Sequence, residues 1–291
     1  MNSIKLITDS ASDIPQETAQ RYQIEILNFP ITIGDKSYES NKDFTNQEFY
    51  QILLTEPRIP THAQITTIQF EEKFEEVFNQ GYENCIYVSI NRLGSSTYDN
   101  AIMAKNQFYE KYPERKDQFH IYVIDSRIYT IAYGYPVIQA AKKIQKGISV
   151  DEVVSYLTDW FESVEVYFAP YSLEFVKKSG RVSCAAAFMG ELLGLKPIIR
   201  FKNGEVSIIE KVRGEKAIIP TLLKYAENNM IPKTPFMVVK GCLDEAAEKL
   251  NKEAEKRFRY RSEGIFEAGA AITINAGPKM VAIVIKSKNK S

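Results

Sequence analysis

Three times in its first half the chain runs from a short apolar stretch into a small polar loop and then into an amphipathic helix. That repetition constrains the fold more than any other feature. The passes are IKLITDSASDIPQETAQRY, ENCIYVSINRLGSSTYDNA and QFHIYVIDSRIYTIAYGYPVIQAAKKIQ. Two of the strands end in nearly the same tail, Ile7-Thr8-Asp9-Ser10 and Ile124-Asp125-Ser126. Strands that alternate with helices cross over and pair in parallel, which gathers the functional loops at the strand C-termini. In the second pass, residues 85–90 are apolar and β-branched, and residues 91–96 are small and polar apart from Arg92 and Leu93. A helical spacing then runs through Tyr98, Ala101, Ala104 and Phe108. In the first pass Asp13 suits a helix N-cap, with Pro15 early in the helix and Gln16 at capping-box spacing. A hydroxyl- and glycine-bearing loop before a helix suits an anion, because the free N–H groups and the dipole of the first turn both face it.

The rest of the chain follows other patterns. FPITIGDKSYES predicts a hairpin turning at Gly34-Asp35-Lys36, followed by a helix over 46–54 and the segment IPTHAQIT. IIRFKNGEVSIIEK is two β-rich runs about Asn203-Gly204, a strong hairpin signal. PFMVVKG, CLDEAAEKLNKEAEKRF, AAITINA and VAIVIKSK predict strand, helix, strand and strand. Together these give an α/β protein of two domains in close contact, with a ligand expected between them. Residues 1–165 form a parallel-sheet domain and residues 166–291 a second α/β domain with a largely antiparallel sheet.

Composition removes several function classes. Lys+Arg and Asp+Glu both total 37, which argues against a strongly basic nucleic-acid binder. Cys85, Cys184 and Cys242 lie far apart, no Cys/His spacing resembles a zinc site, and each cysteine reads as a packing residue. No apolar run approaches the ~20 residues of a membrane span, and no signal-peptide core precedes the first strand, so a cytoplasmic location is expected. The P-loop, the G-x-G-x-x-G fingerprint, the kinase motif set and the G-x-S-x-G elbow are all missing. No cofactor and no metal is expected.

Eight short motifs together resemble the DegV family, bacterial fatty-acid-binding proteins that serve as carrier subunits of fatty acid kinase. They are LITDSASDIP at the start, PTHAQ at 60–64, SINRLGSSTY at 89–98, VIDSR at 123–127, FVKKSGRVS at 175–183, LGLKPII at 193–199, KVRGEKA at 211–217 and AGPKM at 276–280. Each is weak alone, and their order and spacing are specific. The resemblance implies a Rossmann-like N-terminal domain, a second α/β domain and a long-chain fatty acid buried between them. A partner kinase would then phosphorylate the carboxylate to an acyl phosphate. The small residues of CAAAFMGELLGLKPII (184–199) suit either an alkyl chain or a helix packed on a sheet. Two alternatives stay open: a phosphate- or nucleotide-dependent transferase on the same scaffold, and a lipid sensor that has lost kinase coupling.

The chain departs from the family pattern where the resemblance places the head group. The usual S-I-S-S-x-L-S-G-T-Y here carries Asn91, Arg92 and Ser96 in place of two serines and a glycine. The usual P-T-T-S-Q reads Pro60-Thr61-His62-Ala63-Gln64, and the usual T-H-x-G-P-G reads Ile274-Asn275-Ala276-Gly277-Pro278-Lys279. One histidine is missing and another has appeared. The candidate ligand-binding set is Thr61, His62, Asn91, Arg92, Ser95, Ser126 and Asn275. Arg92 can grip a carboxylate or phosphate bidentately, or simply face solvent. Asn275 donates a hydrogen bond but carries no titratable proton near neutrality. Arg181 and Arg213 match family positions suited to the phosphoryl group or the partner, with a structural salt bridge as the competing reading. Asp9 and Asp125 are expected to orient the loops by accepting backbone N–H bonds.

Overall fold

The computed structural model describes residues 3–40, 42–179 and 194–288. The three passes supply β1 (Ile4–Asp9), β6 (Asn84–Ser89) and β7 (His120–Asp125), and β2 (Glu25–Leu27), just after the first pass, completes one parallel sheet ordered β2-β1-β6-β7. All six residues of β6 are buried, as expected of a parallel strand covered on both faces. The helices of this domain are α1 (Gln16–Tyr22), α2 (Asn46–Thr55), α3 (Thr67–Asn79), α4 (Thr97–Lys111), α5 (Ile131–Gln145) and α6 (Val150–Ser163). Pro136 inside α5 has no N–H for the Ala132 carbonyl one turn back, and the Trp160 indole N–H takes that carbonyl at 3.0 Å. A small antiparallel sheet, β4-β3-β5, comes from β3 (Pro30–Ile33), β4 (Lys36–Glu39) and β5 (Thr61–His62).

The second domain begins with β8 (Val164–Pro170), followed by the short α7 (Glu174–Ser179), β9 (Leu195–Lys202), β10 (Glu205–Arg213), α8 (Ile218–Asn229), β11 (Met237–Lys240) and α9 (Asp244–Phe258). It ends with β12 (Ile265–Glu267), α10 (Ala270–Ala276) and β13 (Met280–Lys286). Its sheet is ordered β10-β9-β8-β13-β11-β12, antiparallel except for the β11–β12 pair. Strand alternation divides its faces. Tyr167, Ala169, Val281 and Ile283 pack in the same core as Leu222 of α8 and Leu250 of α9. Val166, Phe168, Met280 and Ala282 belong to a core that continues into the parallel-sheet domain.

Two expectations are corrected. AAITINA is the helix α10 and not a strand. Its β-branched residues favour a strand locally, but Ala270, Ala271, Thr273 and Ile274 are buried by a helical arrangement, and the Thr273 hydroxyl bonds back to the Gly269 carbonyl at 3.0 Å. Asp13 does not cap α1, whose N-cap is Pro15. It closes a 3-10 turn in the left-handed region, φ 52°, and turns its carboxylate inward.

The domains are joined along two flanks. On one, the β9–β10 turn, with Asn203 and Gly204 both left-handed, docks on the parallel-sheet loops. Gly204 N–H donates to the Arg127 carbonyl at 2.8 Å, and the Asn91 amide donates to the Gly204 carbonyl at 3.0 Å. On the other, Asp13 accepts from Gly269 N–H at 2.9 Å and the Tyr50 hydroxyl donates to the Ala268 carbonyl at 2.6 Å. A narrow cavity lies between these attachments.

Candidate functional site

The loops that roof the cavity are set by two aspartates. Asp9, fully buried at the end of β1, accepts from Tyr133 (2.6 Å) and Tyr87 (2.9 Å) hydroxyls and from the N–H groups of Ala11 (3.2 Å) and Ile90 (3.0 Å). Burial raises its pKa even against these four donors. Asp125 accepts from Arg92 N–H at 3.1 Å and Arg127 N–H at 2.9 Å. Both carboxylates therefore order loop backbone, and Asp9 ties β1, β6 and α5 together.

Asp13 is, after Asp9, a second buried carboxylate in this region. It accepts from the Thr130 hydroxyl at 2.5 Å as well as from Gly269. Burial, with the Asp9 charge adding to it, pushes its pKa up to about 8. Thr130 lies at φ 59° and ψ −157°, a region otherwise occupied by glycine, so the carboxyl holds a strained backbone at the cavity wall.

The cavity, about 80 Å³, is almost wholly apolar. Its floor is the inner face of the second sheet, Val166, Phe168, Phe201, Met280 and Ala282. Ile90, Tyr129, Phe29 and, from α10, Ala271, Ile272 and Ala276 complete the walls. Tyr129 and Phe201 meet edge-on at 5.3 Å, and Phe201 and Phe168 are 5.8 Å apart, so an aromatic row crosses from one domain to the other. A Cβ at Gly94 would press on the tip of the Tyr129 side chain, so any larger residue there displaces that ring.

The polar groups gather at one place. His62, Gly94, Ser95 and Asn275 line the cavity, and His62, Gly94 and Ser95 also line a polar depression with Gln64, Arg92 and Ser96 at the start of α4. The His62 Nε2 and the Asn275 amide nitrogen are 3.0 Å apart. The two departures from the family pattern thus meet in space. The Ser95 hydroxyl is 2.9 Å from that of Thr97 and accepts the Thr97 N–H at 3.3 Å, capping α4 from one residue before its N-cap. Arg92 reaches the depression half-exposed, paired with Asp99 at 2.9 Å and resting over the Tyr98 ring.

The other described candidates do not line the cavity, though Thr61 shares a neighbouring depression with His62 and Asn275. Asn91 is fully buried and occupied, donating to the Tyr129 hydroxyl (2.8 Å) and to Gly204 and accepting from Leu93 N–H (3.2 Å). Ser126 is buried and bonds both backbone groups of Ile128. Thr61 is exposed, in a neighbouring depression with Lys178 and Ser179. Arg213 ends β10 at the far end from the Asn203-Gly204 turn, about 30 Å along the strand by the usual rise. Arg181, Cys184 and residues 184–193 lie outside the described residues. Sequence reasoning missed Tyr129, Phe168, Phe201, Ala282 and Thr130. Alternation in β8, β9 and β13 marks buried positions, but not which sheet face meets the other domain.

The family model described as "Uncharacterised protein, DegV family" matches residues 3–288. The chain belongs to the DegV family. A DegV domain-containing protein of Caldanaerobacter subterraneus subsp. tengcongensis is 30% identical over 292 residues, covering 99% of this chain and 100% of that one. One from Clostridium perfringens is 31% identical over 283 residues, 97% of this chain and 98% of the relative. The solved structure of a DegV family protein from Thermus thermophilus, described by its fatty acid binding, superposes with a TM-score of 0.86 at 25% identity, covering 98% of this chain and 99% of that one. The Rossmann-like parallel sheet and the mostly antiparallel second sheet are the two-domain DegV fold. Among the described residues, no group of three or more His, Cys, Asp or Glu is placed to hold a metal, and no helix is long and apolar enough to cross a membrane.

Proposed function

We propose that this DegV protein is a cytoplasmic carrier that holds one long-chain fatty acid between its domains and presents the carboxylate to a partner kinase for conversion to an acyl phosphate. One observation carries the reading: an apolar inter-domain cavity whose polar groups cluster at His62, Ser95 and Asn275 and open toward Arg92. The fatty acid binding of the Thermus thermophilus relative supports it. The head-group contacts are assigned to His62 and Ser95, with Asn275 orienting His62 and with Arg92 at the outer rim. Asn91 and Ser126 support the loops from behind.

Burying about 15 methylenes at ~0.8 kcal/mol each offers on the order of 12 kcal/mol before binding costs. Those costs include opening the cavity, since about 80 Å³ is well below the roughly 300–1,000 Å³ of ordinary ligand sites. The chain enters as the Tyr129, Phe201 and Phe168 rings move apart.

The deciding experiment is mass spectrometry of the small molecules released on denaturing the purified protein. A near-stoichiometric long-chain fatty acid is expected. A short-chain or phosphorylated compound in its place would refute fatty-acid carriage. Adding a fatty acid kinase with ATP and Mg²⁺ tests presentation separately: acyl phosphate is expected, and an unmodified acid would leave a lipid-binding protein without kinase coupling.

A further inference from the structure

His62 and Asn275 are 213 residues apart in sequence, and a third atom dictates how they meet. The Asn275 amide nitrogen lies 2.9 Å from the Ala271 carbonyl oxygen and 3.0 Å from His62 Nε2. A backbone carbonyl only accepts, so the atom beside it has to be the amide nitrogen. Turning the amide over would set two oxygens against each other. One amide hydrogen goes to Ala271 and the other points at Nε2. Nε2 is then an acceptor without a hydrogen, and the proton of the neutral ring sits on Nδ1.

We propose that the Ala271 carbonyl, acting through Asn275, locks His62 in the neutral Nδ1–H tautomer, and that Asn275 is thereby a positioning residue for the ligand head group. The lock reverses the usual preference, since a histidine side chain in water favours the Nε2–H form. The ring plane is fixed as well: it stands edge-on to Phe29 at 5.8 Å and 79°, and His62 pairs with Ile31 in the small sheet. Nδ1 is closed off from solvent, so a proton there has to meet its acceptor within the cleft. The head-group role rests on the fatty-acid reading above, whereas the tautomer does not.

The chain has only two histidines, so long-range ¹H–¹⁵N spectra of the ligand-free protein contain two rings, and His120→Gln isolates His62. A protonated Nδ1 and an unprotonated Nε2 are expected. In Asn275→Leu the ring should relax to the Nε2–H form, with palmitate affinity falling about tenfold. A wild-type ring protonated at Nε2, or at both nitrogens, overturns the lock, and this spectrum decides the matter even if the variant does not fold. An Nδ1–H ring unchanged in Asn275→Leu overturns the part given to Asn275. A switched tautomer with unchanged palmitate affinity overturns the positioning role. Wild-type protein that shows the Nδ1–H ring yet binds no palmitate refutes the fatty-acid reading and upholds the lock.

Discussion

Asp13→Asn should change how stability depends on pH, in a direction the structure dictates. The Asp13 carboxyl is buried beside Asp9, and its pKa is pushed up to about 8, against 3.8 for an ordinary aspartate. Between those values the native protein keeps a proton that the unfolded chain has released. The unfolded state therefore binds fewer protons, and stability falls as pH rises through that window. The shift from 3.8 to about 8 corresponds to on the order of 5 kcal/mol lost between pH 4 and pH 9.

Asparagine resembles the protonated carboxyl. Its oxygen can accept from Gly269 N–H and its nitrogen can donate to the Thr130 hydroxyl, so both contacts survive in altered form. Urea denaturation of the two proteins from pH 5 to pH 9 is the assay. Glu25 and Glu165, whose burial is outweighed by their lysine partners so that both are lowered, titrate in both proteins and cancel, so the difference between the curves reports Asp13 together with its coupling to Asp9. The advantage of the variant over wild type should widen by about 4 kcal/mol between pH 5 and pH 9. Parallel curves would refute the assignment of a buried, proton-holding Asp13.

Ala282→Leu places a larger side chain on the cavity floor; thermal stability of the ligand-free protein should stay within ~1.5 kcal/mol of wild type while palmitate retention falls at least about tenfold. Arg92→Ala should weaken palmitate binding only a few-fold, and less at high salt, because the guanidinium is half-exposed and already paired with Asp99; a total loss of binding would move Arg92 from the rim to the centre of the site. His62→Thr and Asn275→His should each lower palmitate affinity more than the double variant does, which equilibrium binding of the three proteins would measure.

The parallel half of the fold was legible because each pass carries its own period, strand then helix, and its own loop chemistry. Asn203-Gly204 was legible for a local reason too, since both residues take left-handed conformations in a tight turn. α10 was not. Seven residues with three β-branched side chains give no helical period long enough to outweigh strand propensity, and the burial that decides the matter comes from other parts of the chain. Asp13 failed for a similar reason: its capping-box spacing is real, but its acceptors are spent on Thr130 and Gly269, 117 and 256 residues away.

The head-group end shows the same limit more sharply. The sequence alone puts both Asn275, in place of a histidine, and His62, a new one, at the expected head-group site, but not in contact with each other. In the structure they are one hydrogen-bonded unit spanning β5 and α10. A histidine at 275 beside His62 would crowd two rings where one amide now fits, and a threonine at 62 beside Asn275 would leave no ring. Either residue is informative only with its partner, and sequence separation hides the partner. What the pair retains is a single imidazole at the polar end of an apolar cavity. The proposed lock on that imidazole depends on α10, which supplies the carbonyl that orients the amide.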